Sequence, residues 1–306
     1  MQTNTFRRIG AHLSTSKGIA ETVRAAAEIG ANCLQVFSGS PRMWRRTPLD
    51  RIDAKAIQKA QEAADVKPIF THALYLVNLA SDNPDIVAHS LETLKHDLTF
   101  DAHLGGAGVV VHIGSHQGKG FIAVKDMIAS RIQEILRETP EQSHFLIENA
   151  AGQQGKIGGD LTEVQWLIQQ LKSERVGWCV DTCHAFAAGY AFSNNSSIYQ
   201  EKEQKENTLF TDGNSTKNSP VLAEEIKKLG LLDSLRVIHV NGSRDPFNSG
   251  RDRHANIGEG TIPSAELQIF LNDPAFSAIP LITEVPGIEN QGPDAENIAR
   301  IKELVK

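Results

Sequence analysis

The segment "VGWCVDTCH", residues 176–184, joins a hydrophobic strand pattern directly to a carboxylate and an imidazole. The apolar stretch ends at Asp181, and His184 follows three residues later at the start of the next loop or helix. One such junction is compatible with a buried ion pair or a capped helix. Its meaning depends on whether the chain repeats it.

Eight short apolar or β-branched runs alternate with longer amphipathic stretches along the 306 residues. Strands that alternate with helices pair in parallel, and eight such units are typical of a closed (β/α)8 barrel. Neither GxGxxG nor a Walker A motif follows the first strand, which disfavours an open doubly wound sheet. We therefore predict an α/β fold, a TIM barrel. The runs are 8–14, 32–37, 67–73, 108–114, 144–150, 176–182, 235–242 and 280–287.

Length and composition favour one domain. The chain is 40% hydrophobic and 22% charged, which is typical of a globular protein with a large core. No Pro/Ser-rich linker divides it, so residues 1–306 are predicted to form a single barrel. A polar segment at 193–220 interrupts the alternation after the sixth strand and is interpreted as a solvated insertion.

The sequence also restricts the setting and the partners. No run of about 18 apolar residues is present, and the start lacks a secretory signal. Cys33, Cys179 and Cys183 form no CxxC pair, so we expect a cytoplasmic, reducing environment with no membrane association and no disulfide. The net charge of -6 disfavours a nucleic-acid partner unless bound cations change the local balance.

The junction at Asp181 is one of six consecutive strand ends that carry an imidazole or a carboxylate. In a TIM barrel the active site lies at the C-terminal ends of the strands. Buried ionisable groups that converge there are costly unless cations compensate their charge. The six residues are His72, His112, Glu148, Asp181, His239 and Glu284.

Two pairs enlarge this set. Asp181 is followed by His184, and "SGRDRHANIGEG" supplies Asp252 and His254 from a loop. The resulting five histidines and four carboxylates form a mixed nitrogen and oxygen set that suits zinc, with manganese or iron as alternatives. Nine ligands exceed the four of one tetrahedral zinc ion, so the set indicates two or three ions.

Other histidines have less specific interpretations. His89, His96 and His103 recur every seven residues, as expected for a stripe on one helix face away from the strand ends. His12 ends the first strand and is assigned no metal. His116 either orients a ligand or is only a loop residue.

Six motifs resemble the signature blocks of the endonuclease IV family of apurinic/apyrimidinic endonucleases. They occur in the expected order along nearly the whole chain. The resemblance implies a zinc-dependent hydrolase of DNA base-excision repair that cleaves double-stranded DNA 5′ to an abasic site, leaving a 3′-hydroxyl and a 5′-deoxyribose phosphate. The motifs are "HALYLVNL", "HIGSH", "IENAAGQ", "VDTCHAFAAGY", "DRHANIGEG" and "TEVPG".

The resemblance also implies a centre of three Zn²⁺ ions at the C-terminal ends of the strands. Glu148 would bridge the first two ions, and Glu148 and Glu284 are the catalytic candidates. The ligands would be His72, His112 and Glu148 for the first ion, Glu148, Asp181, His239 and Glu284 for the second, and His184, Asp252 and His254 for the third.

DNA contacts follow from the resemblance as well. Tyr75 and Leu76 match residues that push into the minor groove and base stack, and Arg42 matches a residue inserted through the stack. Without the resemblance, the same residues fit ordinary packing or a solvated loop. One departure is "HVNGSRD", where Gly242 and Arg244 stand in place of the family's acidic residue and lysine.

Two other functions fit parts of the pattern. One is a metal-dependent sugar isomerase or epimerase of the same barrel type, which has no clear need for the Asp252 and His254 pair. The other is a non-catalytic binder of damaged DNA, which the intact ligand set disfavours. With one barrel and one mouth, we expect a monomer without an obligate protein partner.

Overall fold

The eight apolar runs form the eight parallel strands of a closed barrel in the computed structural model. The structure describes residues 7–153, 155–194, 199 and 219–305. Each barrel strand pairs with the barrel strands that precede and follow it along the chain, and the last barrel strand pairs with the first. The barrel strands are β1 (Ile9–His12), β2 (Cys33–Phe37), β3 (Ile69–His72), β4 (Val109–Val111), β5 (Phe145–Glu148), β6 (Val176–Asp181), β7 (Leu235–His239) and β10 (Leu281–Thr283).

Nine α-helices, three short 3-10 helices and one short antiparallel hairpin complete the regular structure of the described residues. The hairpin pairs β8 (Gly242–Ser243) with β9 (His254–Ala255), and strands of two residues are too short to show an alternation in the sequence. The helices are α1 (Ile19–Glu28), α2 (Ala54–Ala64), α3 (Pro84–Leu104), α4 (Phe121–Arg137), α5 (Leu161–Leu171), α6 (Thr182–Ala187), α7 (Leu222–Lys228), α8 (Ser264–Leu271) and α9 (Ala295–Leu304).

These observations confirm the predicted (β/α)8 fold. The prediction of one domain over residues 1–306 stays a prediction, and most of the predicted insertion at 193–220 lies outside the described residues. None of the described helices combines the length and the apolar character needed to cross a lipid bilayer.

The inside of the barrel is filled by side chains from seven of its eight strands. The eighth, β1, contributes Gly10, which pairs in register with Cys33 and Ile282. A Cβ on Gly10 would lie 2.0 Å from the carbonyl oxygen of Cys33, so only glycine allows β1 to approach β2 this closely. The interior cluster consists of Cys33, Phe70, Val110, Leu146, Cys179, Val237 and Ile282.

The strand registers bring the strand-end residues of neighbouring strands side by side. Phe37 of β2 pairs with His72 of β3, and Asp181 of β6 pairs with His239 of β7. Because all strands are parallel, their C-terminal ends open at one face of the barrel. The candidate residues therefore lie at this face, directly above the packed interior of the barrel.

Helix α3 contributes a buried carboxylate behind the barrel wall. The hydroxyl of Thr71 on β3 donates to Asp101 Oδ1 at 2.9 Å, whereas Oδ2 has no hydrogen-bond partner among the described residues. Burial raises the pKa of Asp101 to about 7, and the neighbouring Asp97 acts in the same direction. The folded protein therefore holds this proton more tightly than the unfolded chain does.

The raised pKa makes a testable contribution to stability. A carboxyl group whose pKa is higher in the folded state stabilises fully below its unfolded pKa of about 4, and the contribution is lost as the pH rises through 7. The difference in free energy of unfolding between wild type and Asp101→Asn should therefore fall between pH 4 and 7, by at most about 1.4 kcal/mol per pH unit. Urea denaturation at several pH values measures it.

The exposed Asp126 on α4 provides the matched control. Asp126→Asn makes the same chemical change at an exposed position, so comparison with it separates the effect of burial from the loss of a carboxylate as such. A constant difference for Asp101→Asn would show that burial does not raise the pKa of Asp101 above its value in the unfolded chain.

Candidate metal centre

All nine residues predicted from the strand ends and the two pairs meet at the C-terminal mouth of the barrel. Four are the last residues of their strands, and two follow β4 and β10 directly. One lies in the first turn of α6, and the remaining two lie just before and at the start of the second strand of the hairpin. In this order they are His72, Glu148, Asp181, His239, His112, Glu284, His184, Asp252 and His254.

Glu148 lies at the centre of the cluster and is fully buried. Its Oε2 is 3.2 Å from the Nε2 atoms of both His72 and His112. Its Oε1 faces the other side, 3.1 Å from His239 Nδ1. The two carboxylate oxygens therefore face two different groups of potential ligands, which is the geometry that a bridging carboxylate requires.

A second group surrounds the other oxygen of Glu148. His239 Nδ1 lies 3.2 Å from Glu284 Oε2 and 3.9 Å from Asp181 Oδ2. Ligand atoms of Glu148, Asp181, His239 and Glu284 all lie within 4.8 Å of one another. This group of three carboxylates and one imidazole could hold a cation.

The third group contains His184, Asp252 and His254, whose ligand atoms also lie within 4.8 Å of one another. Asp252 Oδ1 is 3.0 Å from His184 Nε2 and 3.3 Å from His254 Nε2. Both nitrogens are buried and, among the described residues, neither meets a partner in hydrogen-bond geometry. Two unsatisfied imidazole nitrogens beside a carboxylate fit a bound metal ion.

Asp181 connects the strand to the third group. It ends β6 and caps α6, because its Oδ1 accepts a hydrogen bond from the backbone N–H of His184 at 2.9 Å. Its Oδ2 accepts from the side-chain amide of Asn241 at 2.6 Å. The cap fixes the first turn of α6, so His184 is held at the mouth.

The hairpin is held by a buried carboxylate, Asp245. It accepts a hydrogen bond from Arg253 Nε at 2.6 Å and lies 3.5 Å from Arg251 Nη1. Because alternate residues of an extended segment point to opposite sides, this contact directs the arginines away from the mouth and leaves Asp252 and His254 facing it.

The hairpin also explains the departure at Gly242. A Cβ at this position would lie 2.9 Å from the carbonyl oxygens of Ala255 and Asn256 on the paired strand. An acidic side chain does not fit this close pairing. Arg244 is exposed, so neither departure alters the nine residues at the mouth.

The carboxylates and imidazoles of the mouth shift one another's pKa values. Burial alone would raise the pKa of Glu148, but the imidazoles of His112 and His239 outweigh it and hold the pKa well below its usual range. Burial would lower the pKa of His184, but the carboxylates of Asp181 and Asp252 outweigh it and raise the pKa well above 6.5. Cations would replace these protons, so we expect metal binding to release protons.

Two cysteines approach the same groups. The Sγ atoms of Cys179 and Cys183 lie within 4.8 Å of candidate ligand atoms. Burial raises the pKa of Cys179 to about 12, which favours the protonated thiol, a poor metal ligand. Both cysteines are buried, consistent with a packing role.

Residues outside the nine fall into two sets. His116 belongs to a turn, since its Nδ1 accepts from the backbone N–H groups of Gly118 and Gly120 at 3.2 and 3.0 Å. His12 and Gln35 both contact Glu284 at the mouth; His12 was predicted to end the first strand without binding a metal, and Gln35 was not predicted from the sequence. A polar residue inside an apolar run could have indicated Gln35. It is the one polar side chain between Cys33 and Phe37 in the second run.

The histidine stripe on α3 lies away from the mouth, as predicted, and holds the loop after β2. The ring of His89 stacks on Trp44 with centroids 5.2 Å apart. His96 Nε2 lies 2.9 Å from the carbonyl oxygen of Thr47. This loop also carries Arg42, so the stripe supports the rim of the barrel.

The three residues predicted to contact DNA lie together at that rim. Tyr75 is 55% and Leu76 is 41% exposed, an unusual exposure for two large side chains beside a buried strand. The N–H of Tyr75 donates to the carbonyl oxygen of Pro41 at 3.3 Å, which places the exposed Arg42 next to it. A cavity of about 640 Å³, lined by Tyr75, His254 and Glu284 among others, opens between this rim and the cluster.

Comparison with known proteins agrees with this architecture. A family described as a xylose isomerase-like TIM barrel matches residues 23–304. A probable endonuclease 4 of Persephonella marina is 35% identical over 302 residues, covering 98% of this chain and 97% of that protein. The crystal structure of endonuclease IV from Thermus thermophilus is similar with a TM-score of 0.78 and 29% identity, covering 97% of this chain and 98% of that one.

A more distant similarity concerns the fold alone. A D-tagatose 3-epimerase-like protein matches with a TM-score of 0.64 and 18% identity, covering 96% of each chain. The fold and the clustered ligands thus define a xylose isomerase-like TIM barrel with a candidate metal centre. Within this class, the chain belongs to the endonuclease IV family. The resemblance noted in the sequence is confirmed.

The candidate centre predicts a response to metal. Zinc added to chelator-treated protein should raise the melting temperature, because an ion that binds only the folded state at 100 times its Kd stabilises it by about 2.7 kcal/mol. Asp252→Asn should reduce this gain, since it removes a carboxylate from the third group. Differential scanning calorimetry with and without zinc measures both.

His89→Gln is the matched control, because it changes an imidazole outside the mouth and should keep the full zinc response. Equal zinc responses in wild type and Asp252→Asn would remove Asp252 from the metal centre. No zinc response in wild type would contradict the centre as a whole.

Proposed function

We propose that this protein is a metal-dependent endonuclease of DNA base-excision repair. It hydrolyses the phosphodiester bond 5′ to an abasic site in double-stranded DNA and leaves a 3′-hydroxyl and a 5′-deoxyribose phosphate. The observation that carries the proposal is the convergence of three potential ligand groups at one barrel mouth, with Glu148 facing two of them. Membership of the endonuclease IV family supports it.

The proposed cofactors are three Zn²⁺ ions, with Mn²⁺ or Fe as substitutes at one or more positions. When bound, such ions supply Lewis-acid polarisation of a phosphate and an activated water near neutral pH. Their charge also answers the objection from the net charge of -6, since local cations attract a phosphate to an acidic protein. The ligands proposed are His72, His112 and Glu148, then Glu148, Asp181, His239 and Glu284, then His184, Asp252 and His254.

The two catalytic carboxylates have different surroundings. Glu148 is fully buried, so its role is to hold the first two ligand groups at a fixed separation. Glu284 lines the cavity of about 640 Å³, with its side chain 12% exposed. Glu284 is therefore the carboxylate placed to orient the attacking water or to accept its proton.

The rim residues are proposed to distort the DNA. Exposed Tyr75 and Leu76 are shaped to enter the minor groove and the base stack, and Arg42 beside them adds a positive charge. An abasic nucleotide has already lost its base pair, so its extrusion costs less than that of an intact nucleotide. The rim thus favours the damaged site before any bond is cleaved.

We further propose that residues 1–306 act as one domain and as a monomer in the cytoplasm. One barrel supplies one complete mouth from its own residues. No obligate partner chain is needed to complete the nine-residue cluster.

Incision of a duplex that carries a single stable abasic analogue tests the proposed function. We expect a cut on the 5′ side that leaves a 3′-hydroxyl and stops after treatment with a chelator, whereas the matched undamaged duplex stays intact. Binding without incision would indicate a damaged-DNA binder. Activity on a ketose sugar without incision would indicate an isomerase or epimerase.

Glu148→Gln should lower the incision rate by about a thousandfold or more, since a neutral amide cannot bridge two cations. Circular dichroism should show that the barrel remains folded. His116→Asn is the control, because His116 lies in a turn outside the nine residues and its loss should leave the rate near that of wild type. A near-normal rate for Glu148→Gln would remove Glu148 from the bridging role.

The rim makes a separate prediction about binding. Tyr75→Ala should weaken binding to the abasic duplex by about tenfold, because a large side chain at an interface contributes on the order of 1–2 kcal/mol. Fluorescence anisotropy in the presence of metal measures the Kd. Ile269→Ala is the matched control, since Ile269 is 54% exposed but lies near the C-terminal end of α8, the helix that leads into the N-terminal end of β10. Equal losses in both variants would contradict a role for Tyr75 in the DNA contact.

A further inference from the structure

A single amide on β2 links two of the candidate ligands that stand on other strands. Gln35 is fully buried and pairs in register with His12. Its Oε1 lies 2.9 Å from His239 Nε2, and its Nε2 lies 2.7 Å from Glu284 Oε1. The side chain therefore reaches from β2 to residues of β7 and of the segment after β10.

The chemistry of these partners decides which way the amide points. A carboxylate accepts hydrogen bonds only, so the NH₂ group of Gln35 must face Glu284 and its oxygen must face His239. The reversed amide would place its oxygen against the Glu284 carboxylate. In the observed orientation, His239 Nε2 must carry a proton, since the amide oxygen can only accept.

In the neutral imidazole that can bind a metal ion, the proton on Nε2 leaves the lone pair of His239 on Nδ1. That atom faces the second ligand group, 3.1 Å from Glu148 Oε1 and 3.2 Å from Glu284 Oε2. Gln35 also occupies Glu284 Oε1, together with His12 Nδ1 at 2.6 Å, and so leaves Oε2 directed to the same group. One amide thus orients two donor atoms towards one position.

We propose that Gln35 is a positioning residue for the second cation of the mouth. It sets the tautomer of His239 and the rotation of the Glu284 carboxylate without contacting the cation. Partners of this kind typically change metal affinity by about 10- to 100-fold when they are removed. The inference rests on the proposed function, because it assumes that a cation occupies the second group.

Gln35→Met tests the role, since methionine has a similar length but neither donates nor accepts strongly. Metal-stripped protein is titrated with Co²⁺, followed by its visible absorption, and with Zn²⁺ by calorimetry. We expect one binding step to weaken by about 10- to 100-fold while the others stay within about twofold. Incision of the abasic duplex should lose kcat with KM nearly unchanged.

Thr71→Val is the matched control. Thr71 is a fully buried polar residue of the neighbouring strand β3, and its hydroxyl bonds Asp101 outside the mouth. This variant should lose stability but keep every metal-binding step. If Gln35→Met binds metal as the control does, Gln35 is a packing residue and the proposal is overturned.

A measurement on the wild-type protein covers the case in which Gln35→Met does not fold. Proton–nitrogen NMR of the zinc-loaded protein reports which imidazole nitrogen of His239 carries the proton. A proton at Nε2 supports the proposal, and a proton at Nδ1 overturns it. If wild type binds no metal and does not incise the duplex, the proposed function fails, whereas wild-type activity with a Nδ1 proton rejects only the role of Gln35.

Discussion

The burial of the Glu148 carboxylate at the centre of the barrel mouth is the constraint on which the rest of the site depends. A fully buried charge is costly unless opposite charge surrounds it, and the neighbours of Glu148 are imidazoles at the ends of three other strands and on α6. Around it stand three more carboxylates. Protonated imidazoles or cations must balance this charge, so the same burial that is costly for the fold makes the mouth suitable for binding cations.

Strands and a capped helix hold the candidate residues in place around Glu148. Parallel strands of a closed barrel deliver six of the nine residues to one face, and the Asp181 cap holds His184 on the first turn of α6. The hairpin, whose strands have only two residues each, supplies two of the nine residues. Its conformation is stabilised by the Asp245 carboxylate, which binds Arg251 and Arg253 on the side away from the mouth. Beyond the mouth, the histidines of α3 hold the loop that bears Arg42. Ligand geometry and rim geometry thus have separate supports.

Much of this arrangement could be predicted from the chain. The eight strands were predictable because strands buried on both faces form continuous apolar runs, and the six strand-end residues because a polar residue interrupts each run where it ends. The hairpin was not predictable, since its two-residue strands carry no period. Nor was the contact of Asp245 with Arg253, because it depends on a turn whose geometry is set by the close pairing at Gly242.

By itself, the sequence indicated the barrel through its local period and six of the nine candidate residues through the residue type at strand ends. The other three came from the two pairs, and the family came from the resemblance of six motifs. Only the tertiary structure decided which oxygen of Glu148 faces which histidines, and that Gln35 reaches both His239 and Glu284. The first of these Gln35 contacts alone joins residues 204 positions apart. Such contacts exist only after the barrel closes, because closure alone brings β2 within hydrogen-bonding distance of residues on β7 and beyond β10.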